Sequence, residues 1–191
     1  MKRNILLIEP GYKNKYPPIG LMKIATYHKM LGDNVVFYKG NVNEFIFNQI
    51  LDDCIVKLND VCSGLDWKKH RKDIGVFIKS NHSTKLKALL PDPKETDENY
   101  NTIIKQIPLI EMWLTYFADF YKKRRFAEEP LWDRVYITTL FTFYWKITVE
   151  AIHEAKSLVK DINELKVGGV LASLLTKEVE EETGKKPMTG I

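Results

Sequence analysis

The sequence predicts an α/β protein, a doubly wound parallel sheet interrupted by an α-helical insertion. Three observations carry this expectation. Near the start, the apolar run Asn4-Ile-Leu-Leu-Ile-Glu9 is followed by an amphipathic stretch and a second apolar run, Val35-Val-Phe-Tyr38. Far downstream the same order recurs, from Arg134–Leu140 through an amphipathic stretch to Lys166–Leu171. Between the two halves the chain turns polar and basic and then aromatic, which breaks the alternation. Apolar strand, turn, amphipathic helix and apolar strand make a βαβ unit, and such units build parallel sheets with ligand sites beyond the carboxyl ends of the strands.

Each element has its own signal. Residues 4–9 are a short apolar run stopped by Pro10 and Gly11, as expected of a buried strand. Pro17 and Pro18 introduce a helix, because a missing N–H costs little in the first turn. Leu21, Ile24, Ala25, His28 and Leu31 then share one helical face, and Gly32 suits the C-cap. A helix over about 43–58 carries one apolar stripe, Phe47, Ile50, Leu51, Cys54, Ile55 and Leu58. Next comes the expected insertion, 59–132. It holds the basic run 68–72, the pair Pro91 and Pro93, and a second helical stripe from Ile103 to Phe120, which Pro108 should kink or break. Its aromatic residues Trp113, Tyr116, Phe117, Phe120 and Tyr121 are expected as core between insertion and sheet. Strand three is expected at Arg134–Leu140. The helix after it presents Thr148, Ala151, Ile152, Ala155, Leu158 and Val159 on one face, and strand four follows at Lys166–Leu171. A last helix should start at the N-cap Thr176 and end at Gly184. A doubly wound domain would add a fifth strand after Met188, so the chain reads as a piece of a longer polypeptide. The domain organisation is therefore 1–58 with 133–191, and 59–132 between.

Bulk composition narrows the class. At 191 residues, with 45% apolar and 28% charged residues, the chain can bury a sizeable core. No apolar run approaches a membrane span, and the basic start is too short for a signal peptide. Two cysteines, Cys54 and Cys62, make neither a disulfide framework nor a metal quartet. A cytoplasmic protein with reduced thiols is the expectation. The four histidines do not cluster, and the first loop lacks Gly-x-Gly-x-x-Gly, which argues against NAD and FAD. The net charge of +4 is mild, so nucleic acid is not expected as a partner.

The order of segments resembles the cobalamin (vitamin B12)-binding-like domain found at the N-terminus of many radical SAM enzymes. The residues that carry the resemblance are Ile5-Leu-Leu-Ile-Glu-Pro10, Tyr16-Pro-Pro-Ile-Gly-Leu-Met-Lys-Ile-Ala25 with Gly32, Ile137-Thr-Thr-Leu140 and Val167-Gly-Gly-Val-Leu-Ala-Ser173. Residues 1–58 and 133–191 are covered, and the insertion is not. The resemblance implies a flavodoxin-like (Rossmann-like) sheet whose carboxyl edge holds the nucleotide tail of cobalamin. The residues implied there are Pro10, Gly11, Pro18, Gly20, Thr138, Thr139, Leu140, Gly168, Gly169, Ala172 and Ser173. Thr138 and Leu140 match a Ser-x-Leu element whose hydroxyl bonds the buried base. Gly168 and Gly169 match a Gly-Gly element that lets the ligand approach the backbone. The Asp-x-His-x-x-Gly loop that supplies a cobalt ligand in many cobalamin proteins is absent, since 10–16 contains no histidine. Large residues after strand three, Phe141, Phe143, Tyr144 and Trp145, stand where they can fill the space of the tail.

The resemblance also implies a partner in cis, a downstream barrel with Cys-x-x-x-Cys-x-x-Cys that holds a 4Fe-4S cluster and S-adenosylmethionine. This chain lacks that motif, and none of its residues is expected to be a catalytic group or a metal ligand. The expected function is thus an accessory domain that holds cobalamin, or as a degenerate relative positions substrate, over such a barrel. A second reading, of another class, is a stand-alone module that recognises a protein or RNA through its basic helical insertion.

Overall fold

The computed structural model describes residues 2–188. Four strands form one parallel sheet: β1 (Asn4–Pro10), β2 (Asn34–Gly40), β3 (Arg134–Thr139) and β4 (Leu165–Gly169), in the order β2-β1-β3-β4. The helices are α1 (Ile19–Met30), α2 (Val42–Val61), α3 (Arg71–Ser80), α4 (Ser83–Leu89), α5 (Tyr100–Lys122), α6 (Trp145–Ala155), α7 (Val170–Leu174) and α8 (Thr176–Thr183). The fold is α/β and flavodoxin-like, as the sequence predicts. From β1 the chain steps outward to β2, and from β3 it steps the other way to β4. Right-handed crossovers therefore put α1 on one face of the sheet and α6 on the other. Residues on β1 alternate accordingly. Ile5 and Leu7 pack with Leu21 and Ala25 of α1, while Leu6 and Ile8, also fully buried, face the opposite side.

The chain divides into two compact units, Met1–Phe45 with Phe126–Ile191, and Ile46–Arg125. The expected boundaries were 59 and 132. The difference arises because the stripe of α2 belongs to the second unit. Leu51, Cys54, Ile55 and Leu58 join Trp67, Phe77, Ile110 and Leu114 in its core. Trp113, Phe117 and Tyr121 pack on that same core, and Tyr116 is 42% exposed. Three of the five aromatic residues expected between insertion and sheet thus pack on the second unit's own core.

Three further points concern local expectations, the first being that Pro108 should kink or break its helix. α5 runs through Pro108 without ending there, because Ile110, Leu114 and Ala118 anchor the helix beyond it in the core. That burial outweighs the roughly 3 kcal/mol local cost of an interior proline. Thr176 does not cap α8 but is its first residue, and its hydroxyl donates to the carbonyl of Ala172 at 2.9 Å. β4 ends at Gly169, so Val170 and Leu171 belong to α7. Gly184 ends α8 in the left-handed conformation expected of it, at φ 61°. At the outer edge of β4 the Met188 N–H donates to the Val167 carbonyl at 2.7 Å. The expected fifth strand would continue from there, and residues 189–191 lie outside the described residues.

Candidate functional site

Strand register sets the geometry. Thr138 lies beside Gly168, and Thr139 beside Gly169, at the carboxyl ends of β3 and β4. Alternation turns Tyr136 and Thr138 to the α1 face, where they meet the first turns of α1. The result is a groove of about 690 Å³, lined among others by Gly20, Ile24, Tyr136, Thr138, Gly168 and Ser173. Gly169, Leu21, Ile137, Val170, Leu174, Lys166 and Met188 complete its walls. This volume falls in the range of small-molecule sites.

Glycine keeps the groove open. A Cβ at Gly20 would meet nothing within 4 Å, and one at Gly168 only the Met188 carbonyl oxygen at 3.9 Å. The neighbouring Gly169 has a different role. Its φ is 118°, and a Cβ there would stand 2.2 Å from the Thr139 carbonyl oxygen. Gly169 is demanded by backbone packing. Thr138 is half-buried, and its hydroxyl makes no hydrogen bond among the described residues.

Of the residues implied by the resemblance, Gly20, Thr138, Gly168, Gly169 and Ser173 come together in this groove. Pro10 and Gly11 do not. They line a separate groove of about 550 Å³ with Gly40, Asn41, Ile147 and Glu150. Thr139 and Ala172 are buried, and their polar groups are spent on each other, the Ala172 N–H donating to the Thr139 hydroxyl at 3.0 Å. The Leu140 carbonyl accepts from the Leu171 N–H at 2.7 Å. Pro18 is the residue before α1, and its carbonyl accepts from Met22 N–H at 3.1 Å.

The switch point between β1 and β3 is filled from within. Tyr12 is buried there, and its hydroxyl shares a hydrogen bond with Thr148 Oγ1 at 2.7 Å. Its ring lies 4.7 Å from that of Tyr144, centroid to centroid. Burial pushes the Tyr12 phenol up to about 12, so it is neutral at physiological pH. Tyr144 thus packs on the first loop. Phe141 and Phe143 stack on each other at 5.4 Å and stay exposed, so neither fills the groove as anticipated. With Tyr16, Ile19 and Leu174, also exposed, they give the carboxyl rim an apolar surface.

A polar chain backs the groove. His28, fully buried, places Nδ1 2.7 Å from Asp33 Oδ2 and Nε2 3.0 Å from the Tyr136 hydroxyl. Arg3 donates to both Asp33 oxygens, at 3.2 and 2.7 Å. Hydrogen bonds from Arg3 and then His28 hold the Asp33 carboxyl well below its usual range. Arg134, paired with Glu164, donates to the Tyr136 hydroxyl at 3.3 Å. The groove residues Tyr136 and Lys166 carry a signal that extending the two-residue strand period back from Thr138 and Gly168 would have found.

Among the described residues no group of three His, Cys, Asp or Glu side chains could hold a metal ion, and no helix is long and apolar enough to cross a membrane. No family model, no curated protein and no solved structure matches the chain.

Proposed function

We propose that the sheet unit is an accessory ligand-binding domain of the cobalamin-binding type, acting over a radical SAM barrel supplied by further polypeptide. One observation carries the reading. Five residues implied by the resemblance, drawn from α1, β3, β4 and α7, line one groove that runs down from the carboxyl edge. The groove fits a nucleotide tail in kind: it is mostly apolar, floored by two side-chain-free positions, and supplied with an unengaged hydroxyl at Thr138. The apolar rim of Phe141, Phe143 and Leu174 supports a broad ligand face or a second domain above it.

Cobalamin, when bound, would supply the cobalt-centred chemistry, and this chain would bind and orient it. Thr138 would bond the buried heterocycle, Gly168 and Gly20 would admit it, and Tyr136 would close the floor, held by His28 and Arg134. The first loop, 10–16, holds no histidine as a cobalt ligand, so binding would rest on the tail.

The test is co-elution of hydroxocobalamin with the protein on gel filtration, read from its visible absorption. Gly168→Leu places a side chain in the groove where the backbone has room for it. The expected result is a corrinoid spectrum with the wild-type protein and at least about tenfold weaker retention with the variant, the loss of about 1.4 kcal/mol. Equal retention by both, or by neither, would refute the reading.

A further inference from the structure

We propose that the second unit binds the phosphate backbone of single-stranded RNA along a basic strip built from α2, α3 and the end of α5. The two dense basic runs, 68–72 and 122–125, are far apart in the chain and each reads as ordinary helix-end charge. The fold joins them. Lys69, Arg71, Lys72 and Lys79 line a groove of about 530 Å³ with Phe47 and Gly75. Lys79 Nζ lies 4.1 Å from the centroid of the Phe47 ring, and that ring meets Tyr121 edge-on at 5.3 Å. The next residue, Lys122, reaches back to donate to the Ser80 carbonyl at 2.8 Å, one position from Lys79.

The charges on this strip are unevenly matched. Lys69 pairs with Asp66, Arg71 with Asp52 and Lys123 with Asp119. Lys68, Lys72, Lys79 and Lys122 have no acidic partner within 4.0 Å among the described residues, and Asp73 is the other acid of the first run. Lys72 and Lys79 are two turns apart on one face of α3, about 10 Å along the axis. Cations without an acidic partner, strung at that spacing, suit a chain of repeated charges better than one isolated phosphate.

The form of the groove favours a strand over a membrane surface. Membrane-binding faces project apolar side chains outward. Here Phe47 is half-buried, Leu51 is buried and Gly75 has no side chain, so Val76 is the single exposed apolar residue in the groove's lining. The mild net charge does not oppose this. It is a whole-chain sum that includes Glu178, Glu180, Glu181 and Glu182 of the other unit, and exposed charges act only over about 10 Å in salt.

The experiment is fluorescence anisotropy of the full chain with a fluorescein-labelled oligouridine, between about 50 and about 200 mM salt. About four backbone contacts predict a log–log salt slope near −3. The double variant Lys72→Glu with Lys79→Glu should weaken binding at least tenfold and flatten the slope, whereas Lys23→Glu with Lys177→Glu in the sheet unit should not. Circular dichroism checks the fold of each, and Lys72→Gln with Lys79→Gln replaces the reversal should it unfold. The proposal is overturned by absence of binding at the lower salt, by a folded groove variant that binds like wild type, or by retention on phosphatidylserine vesicles without binding to the RNA.

Discussion

Gly168 and Gly169 stand side by side and obey different physics. Gly169 has a backbone conformation that L side chains rarely adopt, and its missing Cβ lets the turn into α7 close against Thr139. Gly169→Ala should lower the unfolding free energy by about 3 kcal/mol, through strain and displacement of the β3 backbone. Gly168→Ala should change it by less than about 1 kcal/mol, since the strand there is regular and open. Urea midpoints of the two variants measure the contrast, and equal midpoints would contradict it. Asp33 makes a prediction in pH. Its folded-state pKa is depressed by Arg3 and His28, so the stability it contributes is present above the ordinary carboxylate value. That contribution is lost as pH falls below about 4 and through the folded-state value. Asp33→Asn should therefore lower stability at neutral pH and flatten the acid limb of a stability–pH curve. A variant with an unchanged acid limb would place the acid sensitivity elsewhere.

At the scale of elements, the groove depends on which strands and helices meet. The apolar runs and their flanking prolines and glycines make β1, α1, β2 and α2 legible in the sequence. The period of two places Thr138 and Gly168 on one face, but not which helix covers that face. Pro10 and Gly11 illustrate the limit: they sit at a carboxyl end, as expected, yet line the other groove. Thr139, one residue on from Thr138, is buried and its hydroxyl accepts from the Ala172 N–H of α7, which composition alone does not disclose. α5 makes the same point about proline. Local propensity stops the helix at Pro108, and the buried stripe of Ile110, Leu114 and Ala118 continues it. Pro108 is exposed, so Pro108→Ala should restore a backbone hydrogen bond and remove the ring clash, for a gain of about 1–3 kcal/mol. Thermal unfolding of the variant at a lower temperature than wild type would contradict this account of α5.

At the scale of the whole molecule, the sequence discloses the sheet and its interruption, but not where the interruption starts. α2 reads as a crossover helix, and most of its apolar stripe belongs to the second unit's own core. The same long-range packing unites the two basic runs, which no local pattern in the chain connects. The sheet unit's groove is the centre of the functional account, and amide hydrogen exchange with and without hydroxocobalamin tests it most directly. The account predicts slowed exchange confined to the first turns of α1, the carboxyl ends of β3 and β4, and α7. Protection absent throughout, or confined to the groove beside Pro10 and Gly11, would contradict it.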